Sequence, residues 1–395
     1  MLSPISFPTD TVEKRRVLMD AVESVRPILE AGAAESEEIG TLAEASVDAL
    51  YDSGLFRLKL PHALGGAEAD VITQLDVLEA VSRIDPASGW CLMIGAASVG
   101  SLGAFLPDES IEDLFVGGRP PRTAGVQAPY GVATPVPGGY RLTGRWRFGS
   151  GIQHADWVSA GARVSADDHA GHPNLLRVIV PRSQVKIHDN WHVMGLRGTG
   201  SCDFSMNDLF VPDRLAWDAT SVEPRRGGGL YRLGRPGYVT NEHSAFALGV
   251  GRRALDAVTE LAASKLRGYN SSNLVANRPT FQRVLGQCDM QLRAARSLNV
   301  EILGEAWRCV CDGYTPPPPL QAQMRSVATY TTDVAAEVVS QAFRYGGGEA
   351  LFADNILQQC LRDIHAAAQH QMVSDTAYEN HGQFLLGLPH ARAME

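Results

Sequence analysis

Apolar residues recur three and four positions apart in VEKRRVLMDAVESVRPILEAGAAESEEI from Val12 and again in LAEASVDALYDSGLF, which stops at Gly54. That spacing predicts amphipathic helices. A loop with Pro61, Gly65 and Gly66 leads into ITQLDVLEAVSRID, and DPASGW then breaks the pattern and supplies a fresh N-terminus. The following CLMIGAASVGSLGAFL is apolar on nearly every face, so it is predicted to be a buried helix whose Gly95, Ala96, Ala97 and Gly100 let a neighbour approach closely. Beyond Pro121 the texture changes. GGYRLTGRWRFGSG, DWVSAGARV, NLLRVIVPRS and SCDFSMNDLFVP are short, valine- and aromatic-rich runs separated by glycine, proline and asparagine, the pattern of a small β barrel or sandwich. Helical spacing returns after Glu242 in three long runs, with prolines at 316–319 separating the last two.

The predicted fold is mainly α with a central β domain: an N-terminal helical domain (1–122), a β domain (123–221) and a C-terminal helical bundle (222–395). Strands and helices are segregated rather than alternating, which excludes a doubly wound nucleotide-binding sheet. The glycine clusters follow helices or loops and never join a strand to a helix, so neither a dinucleotide fingerprint nor a phosphate loop is supported.

The totals narrow the function further. A chain of 395 residues with 45% hydrophobic residues has ample core, and a formal charge of −9 without a basic stripe argues against nucleic acid as a partner. The start has no apolar run behind its charges, and no window approaches eighteen uninterrupted apolar residues, so neither a signal peptide nor a membrane span is expected. Cys91, Cys202, Cys288, Cys309, Cys311 and Cys360 have no framework or metal-ligand spacing and read as free thiols of a cytoplasmic protein, with no metal site.

Candidate chemistry concentrates between Gln341 and His370, where three glycines precede a segment carrying an arginine, an aspartate, two histidines and three successive alanines. Glycines admit close approach to a flat or phosphorylated ligand, and small residues leave room beside a working side chain.

Across nearly its whole length the chain resembles the acyl-CoA dehydrogenase fold, and within it the flavin-dependent hydroxylases that are oxygenase components of two-component monooxygenases. The resemblance is carried, in order, by GLFRLKLPHALGG, DPASGW, GRWRFGSGIQHADW, WHVMGLRGTGS, DLFVP, ALGVGRRALDA, QAFRYGGG and LRDIHAAAQH. It implies a flavin in a cleft between the β domain and the C-terminal helices of a homotetramer, with a neighbouring subunit completing the site. By resemblance, Trp146, Phe148 and Ser150 lie along the isoalloxazine ring, Ser150 donating near N5, while Thr199 and Ser201 supply further donors. Arg267 matches the arginine placed for the flavin phosphate, and Gln341, Gly346 and Gly347 match the glycine-rich contact with a neighbour's cofactor. The implied cofactor is reduced FAD, with FMN as the alternative, supplied by a separate NAD(P)H-dependent flavin reductase.

Dehydrogenases of this fold carry a carboxylate base on the C-terminal segment, where this chain reads His370 and Gln371. Glutamine is not a base, whereas histidine exchanges protons near neutrality. The hydroxylase relatives place a histidine at the position of His370, there to polarise or deprotonate an aromatic acceptor while a C4a-hydroperoxyflavin delivers oxygen. On a continuous helix Ala366 and Ala367 share the face of His370, and His365, roughly 140° away, is a secondary pocket residue. Several relatives use a second histidine on the buried helix where this chain has Ser98, so two imidazoles holding a simple phenol are not expected; Leu92, Ser98 and Leu102 would line a pocket for a larger apolar aromatic, indole-type or polycyclic substrate. An acyl-CoA dehydrogenase or oxidase, an N- or S-oxygenase on the same scaffold, and a non-catalytic flavin-binding subunit are the alternatives.

Overall fold

The computed structural model describes residues 6–165, 171–266 and 273–394. The three stretches of different texture fold into two compact units: one of residues 1–70, 90–192 and 197–234, the other of residues 71–89, 193–196 and 235–395.

The first unit holds helices α1 (Thr11–Ile39) and α2 (Glu44–Asp52), most of α4 (Pro86–Phe105), α5 (Asp108–Leu114) and the short α6 (Gly229–Arg232), together with every strand. Its short strands join one mixed seven-stranded sheet, in place of a separate barrel or two-sheet sandwich: β1 (Thr123–Val136), β2 (Gly139–Trp146), β3 (Trp157–Val164), β4 (Leu175–Pro181), β5 (Lys186–Ile187), β6 (Phe204–Pro212) and β7 (Ala216–Asp218), in the order β5-β6-β2-β1-β3-β4-β7. Among the described residues, only β1 and β3 pair in parallel. The register between β2 and β6 sets Trp146 opposite Phe204, and their rings stack at 5.3 Å with an interplanar angle of 11°. The loop leaving β2 must therefore run beside the loop entering β6. Gly149 N–H donates to the Cys202 carbonyl (3.0 Å) and Gly151 N–H to that of Thr199 (2.9 Å).

Helix α4 meets the expectation of burial. Gly95 and Gly103 leave no room for a side chain: a Cβ would stand 2.5 Å from the Phe56 ring and 2.7 Å from the Leu60 side chain. By length and composition alone α4 is long and apolar enough to cross a membrane, contrary to the expectation drawn from uninterrupted runs; its extensive burial marks it as a core helix.

In the second unit, α3 (Val71–Ile84) packs on α7 (Gly237–Ser264) and α8 (Pro279–Cys311), both of which pack on α9 (Pro318–Gly346), and α10 (Ile356–Ala367) and α11 (Thr376–Leu385) lie against α9. The buried positions of α8 (Phe281, Cys288, Leu292, Ala295, Asn299, Leu303) recur at helical spacing, and Asn299 Nδ2 donates to Thr331 Oγ1 of α9 at 2.7 Å. The proline run opens α9 instead of merely ending α8, with Pro318 and Pro319 where a missing N–H costs nothing.

Candidate active site

In the first unit the paired loops bring hydroxyls together. Ser150 Oγ lies 2.7 Å from Ser201 Oγ, which lies 2.6 Å from Thr199 Oγ1, and Trp90 Nε1–H donates to Ser150 Oγ at 3.0 Å. All three hydroxyl residues are buried, with Ser150 5% exposed. One polarity of this chain has Thr199 donating to Ser201 and Ser201 to Ser150. Both lone pairs of Ser150 are then filled, by Ser201 and Trp90, and its own proton is left to donate outward. Trp90 was not among the expected site residues. The signal was the tryptophan of DPASGW, since a buried indole N–H needs an acceptor.

The two aromatics expected beside the flavin ring sit in different surroundings. Trp146 is fully buried, stacks on Phe204 and donates Nε1–H to the Gly161 carbonyl at 2.8 Å, so it belongs to the sheet core. Strand β2 ends there. Phe148, with φ +66°, is 56% exposed and meets Trp191 edge-on. On α4, Leu92 and Leu102 have no exposed surface and Leu102 joins the core cluster of the sheet. Ser98 lies about 120° around the helix from Leu92, on the partly exposed face with Ile94 and Phe105, and its buried Oγ has no hydrogen-bond partner among the described residues. An unsatisfied buried hydroxyl is the kind of group a ligand completes.

In the second unit α10 ends at Ala367, so His370 is not on a helix with Ala366 and Ala367 and the face arguments built on that helix fail. His370 instead caps the turn Gln371–Val373, its Nδ1 accepting from Met372 N–H at 3.2 Å. The turn is clamped by Arg325 of α9, 2% exposed, whose guanidinium donates to the Gln371 carbonyl (2.8 Å), Thr376 Oγ1 (3.0 Å) and Asn380 Oδ1 (2.9 Å). The ring of His370 lies 4.5 Å, centroid to centroid, from that of His243 on α7, tilted by 34°. Desolvation pushes the His370 pKa down to about 4, so the ring is neutral near pH 7. A second imidazole is thus present after all, supplied by α7. His243 was missed because the two residues are far apart in sequence; the available signal was a polar run, Thr240 to Ser244, all of it buried in an otherwise apolar helix. His365 is exposed, away from any such arrangement.

Asp363, 1% exposed, accepts from Leu196 N–H at 2.6 Å and holds that residue at φ +54°. The glycine stretch after Gln341 divides in role. Gly346 has no room for a Cβ, which would stand 2.6 Å from the Leu357 side chain, and Gly347 ends α9 at φ +60° with Lys265 Nζ donating to the Gly346 carbonyl (2.7 Å). These are helix-end requirements. Gln341 lines a cavity of ≈ 450 Å³ with Arg278, Arg283, Gln287 and Arg344. Arg267 lies outside the described residues.

Comparison with known proteins gives this arrangement a family. Residues 12–106 match the acyl-CoA dehydrogenase N-terminal domain and residues 242–375 the acyl-CoA dehydrogenase C-terminal domain. The chain is 29% identical to the indole-3-acetate monooxygenase of Pseudomonas putida, over 86% of each chain. It is 27% identical to the flavin-dependent monooxygenase oxygenase subunit HsaA of Rhodococcus jostii, over 94% of this chain and 98% of that one. Among solved structures, XiaF from a Streptomyces species, in complex with FADH2 and glycerol, superposes with a TM-score of 0.83 at 28% identity, covering 96% of this chain and 97% of XiaF. The chain belongs to the acyl-CoA dehydrogenase fold family and, within it, falls with the flavin-dependent monooxygenases.

Proposed function

We propose that this chain is the oxygenase component of a two-component flavin-dependent monooxygenase that hydroxylates an aromatic, indole-type or polycyclic substrate. The observation that carries the reading is the neutral His370, packed on His243, in the segment where a dehydrogenase needs a carboxylate. Similarity to an oxygenase subunit supports a separate reductase as the source of reduced flavin.

The residues fit a flavin. Ser150, with Ser201 and Thr199 behind it, can donate outward to a ring nitrogen, and the buried, unpartnered Ser98 hydroxyl can serve a ligand on α4. The cavity lined by Arg278, Arg283, Arg344 and Gln341 also holds Glu337, to which Gln341 Nε2 donates at 2.7 Å; its three guanidinium groups are the cations a diphosphate requires, which favours FAD over FMN and, in a homotetramer, reception of a neighbour's cofactor tail. Bound reduced flavin supplies two electrons for dioxygen cleavage, one oxygen atom going to the substrate and the other to water. The protein's part is to exclude water from the reacting atoms, hold the ring through Ser150, and present His370 to the reacting oxygen. We place the enzyme in the cytoplasm, in keeping with six cysteines that have no disulfide-framework spacing.

The dehydrogenase reading has one observation in its favour. Glu242, 2% exposed, stands next to His243 on α7 and is a buried carboxylate. With a flavin reductase, NADH and an indole or phenol, the expected outcome is oxygen-dependent hydroxylation. Reduction of an artificial acceptor by an acyl-CoA, abolished in Glu242→Gln, would replace this reading with dehydrogenation.

A further inference from the structure

His370 is commonly the kind of residue assigned as a base, but its surroundings define something narrower. Its Nδ1 lone pair is occupied by Met372 N–H at 3.2 Å. In a neutral imidazole whose Nδ1 accepts, the proton resides on Nε2, and that edge of the ring can donate but has no lone pair with which to take a proton. The backbone around it is fixed from both sides: His370 N–H donates to the Ala367 carbonyl and its own carbonyl accepts from Val373 N–H, each at 3.0 Å, while Arg325 grips the Gln371 carbonyl. What remains free in such a residue is rotation of the ring. His243 restricts it. At 4.5 Å between centroids and 34° between planes, the two rings are in tilted contact, which leaves the His370 ring little room to turn. His243 has no freedom of its own to follow a rotating partner. It is 5% exposed on α7, within a buried polar run anchored by Asn241 Nδ2 donating to Gln74 Oε1 at 2.9 Å.

We infer that His243 is a positioning residue for His370: its ring, in tilted contact with the His370 imidazole, restricts the plane of that imidazole, and together with Met372 N–H it presents His370 as an Nε2–H hydrogen-bond donor rather than as a general base. The inference rests on the proposed oxygenase reading for what His370 serves, but the tautomer and the ring packing belong to the chain itself. A donor of this kind suits an acceptor that gains negative charge, an oxygen atom of the substrate or of dioxygen, and it stabilises that charge without having to be recharged during turnover.

Two measurements test it separately. On the isolated protein at pH 7, histidine-selective 15N NMR with the His370 resonances identified through His370→Gln should find Nδ1 unprotonated and Nε2 protonated. His243→Phe, which keeps a flat ring, should leave that tautomer in place, and His243→Ala should let the two tautomers mix. An Nδ1–H tautomer in the unaltered protein overturns the inference whatever the enzyme's substrate is. In the reconstituted reaction, His370→Ala should lower product formation by about 100-fold. His370→Gln, which retains an N–H donor and has no basic nitrogen, should stay within about tenfold of the unaltered protein. Equal losses in the Gln and Ala variants would make His370 a base and overturn the donor role. His243→Phe should preserve coupling of flavin oxidation to product within a few-fold, while His243→Ala, its fold checked by thermal unfolding, should uncouple it. A Phe variant as impaired as the Ala variant would mean that the nitrogens of His243 act directly, and the positioning role would fall.

Discussion

His154 in the sheet unit and His370 in the helical unit are both pushed down to a pKa of about 4, and in each burial is the largest cause. Their surroundings differ. His154 is also repelled by the guanidinium groups of Arg122 and Arg182, and its buried Nδ1 has no hydrogen-bond partner among the described residues. It closes the turn after Gly151, whose Cβ, if it had one, would stand 3.0 Å from its Nε2. His370, where desolvation is the leading cause, has an amide donor on one nitrogen and a second imidazole in tilted contact with its ring. A lowered pKa by itself therefore does not separate a histidine that packs a turn from one prepared for chemistry. The partners of each ring atom do.

The same contrast holds for what supports each cluster. Backbone pairing and a stacked core hold the hydroxyl chain of Ser150, Ser201 and Thr199. Side-chain clamps from Arg325 and Asp363 hold the segment around His370.

The largest effect expected is at the base of the hydroxyl chain. Trp146→Ala should cost about 4 kcal/mol of unfolding free energy, because a fully buried indole leaves a cavity behind, whereas Phe148→Ala should stay within about 0.5 kcal/mol. Denaturant titration of both variants measures it, and comparable losses would return Phe148 to the core.

Next comes acid. Both histidines have folded pKa values below their ordinary one, so the unfolded chain binds more protons between pH 6.5 and 4 and stability falls as pH falls through that window. Each contributes up to about 3 kcal/mol at the acid end. Thermal unfolding against pH should show the slope, and His154→Gln or His370→Gln should each remove about half of it. A slope untouched by His154→Gln would break the equivalence of the two rings.

The smallest expected effect is Asp363→Ala, at about 2 kcal/mol, since it leaves the buried Leu196 N–H without its acceptor. Hydrogen exchange should localise the loss to residues 193–196. Protection unchanged there would show that the loop is held by something other than this carboxylate.

These contrasts also explain which residues the sequence made legible. Ser150, Thr199 and Ser201 lie in short glycine-bearing motifs legible in the sequence, but their hydroxyls meet through the long-range β2–β6 pairing. The helical character, the buried α4 and the central strands followed from periodicity. A strand continued through Phe148 would set Trp146 and Phe148 on one face, with Arg147 on the other, but β2 stops at Trp146 and Phe148 takes a left-handed conformation that strand periodicity does not anticipate. The alanine-rich run before His370 has high helix propensity and so predicts a longer helix, whereas α10 ends at Ala367 and the turn beyond it is held by the His370 cap and the Arg325 clamp. His243 needed a tertiary contact between α7 and the turn after α10, which no periodicity carries.

Helix α4 has a consequence for synthesis of the protein. A 20-residue segment that could span a membrane has no water-compatible face to turn outward, so until its neighbours form it is a binding site for lipid, chaperones or other unfolded chains. Substitutions that weaken the packing around Gly95 or Gly103 should therefore reduce the yield of soluble protein before they alter the catalysis of the molecules that do fold.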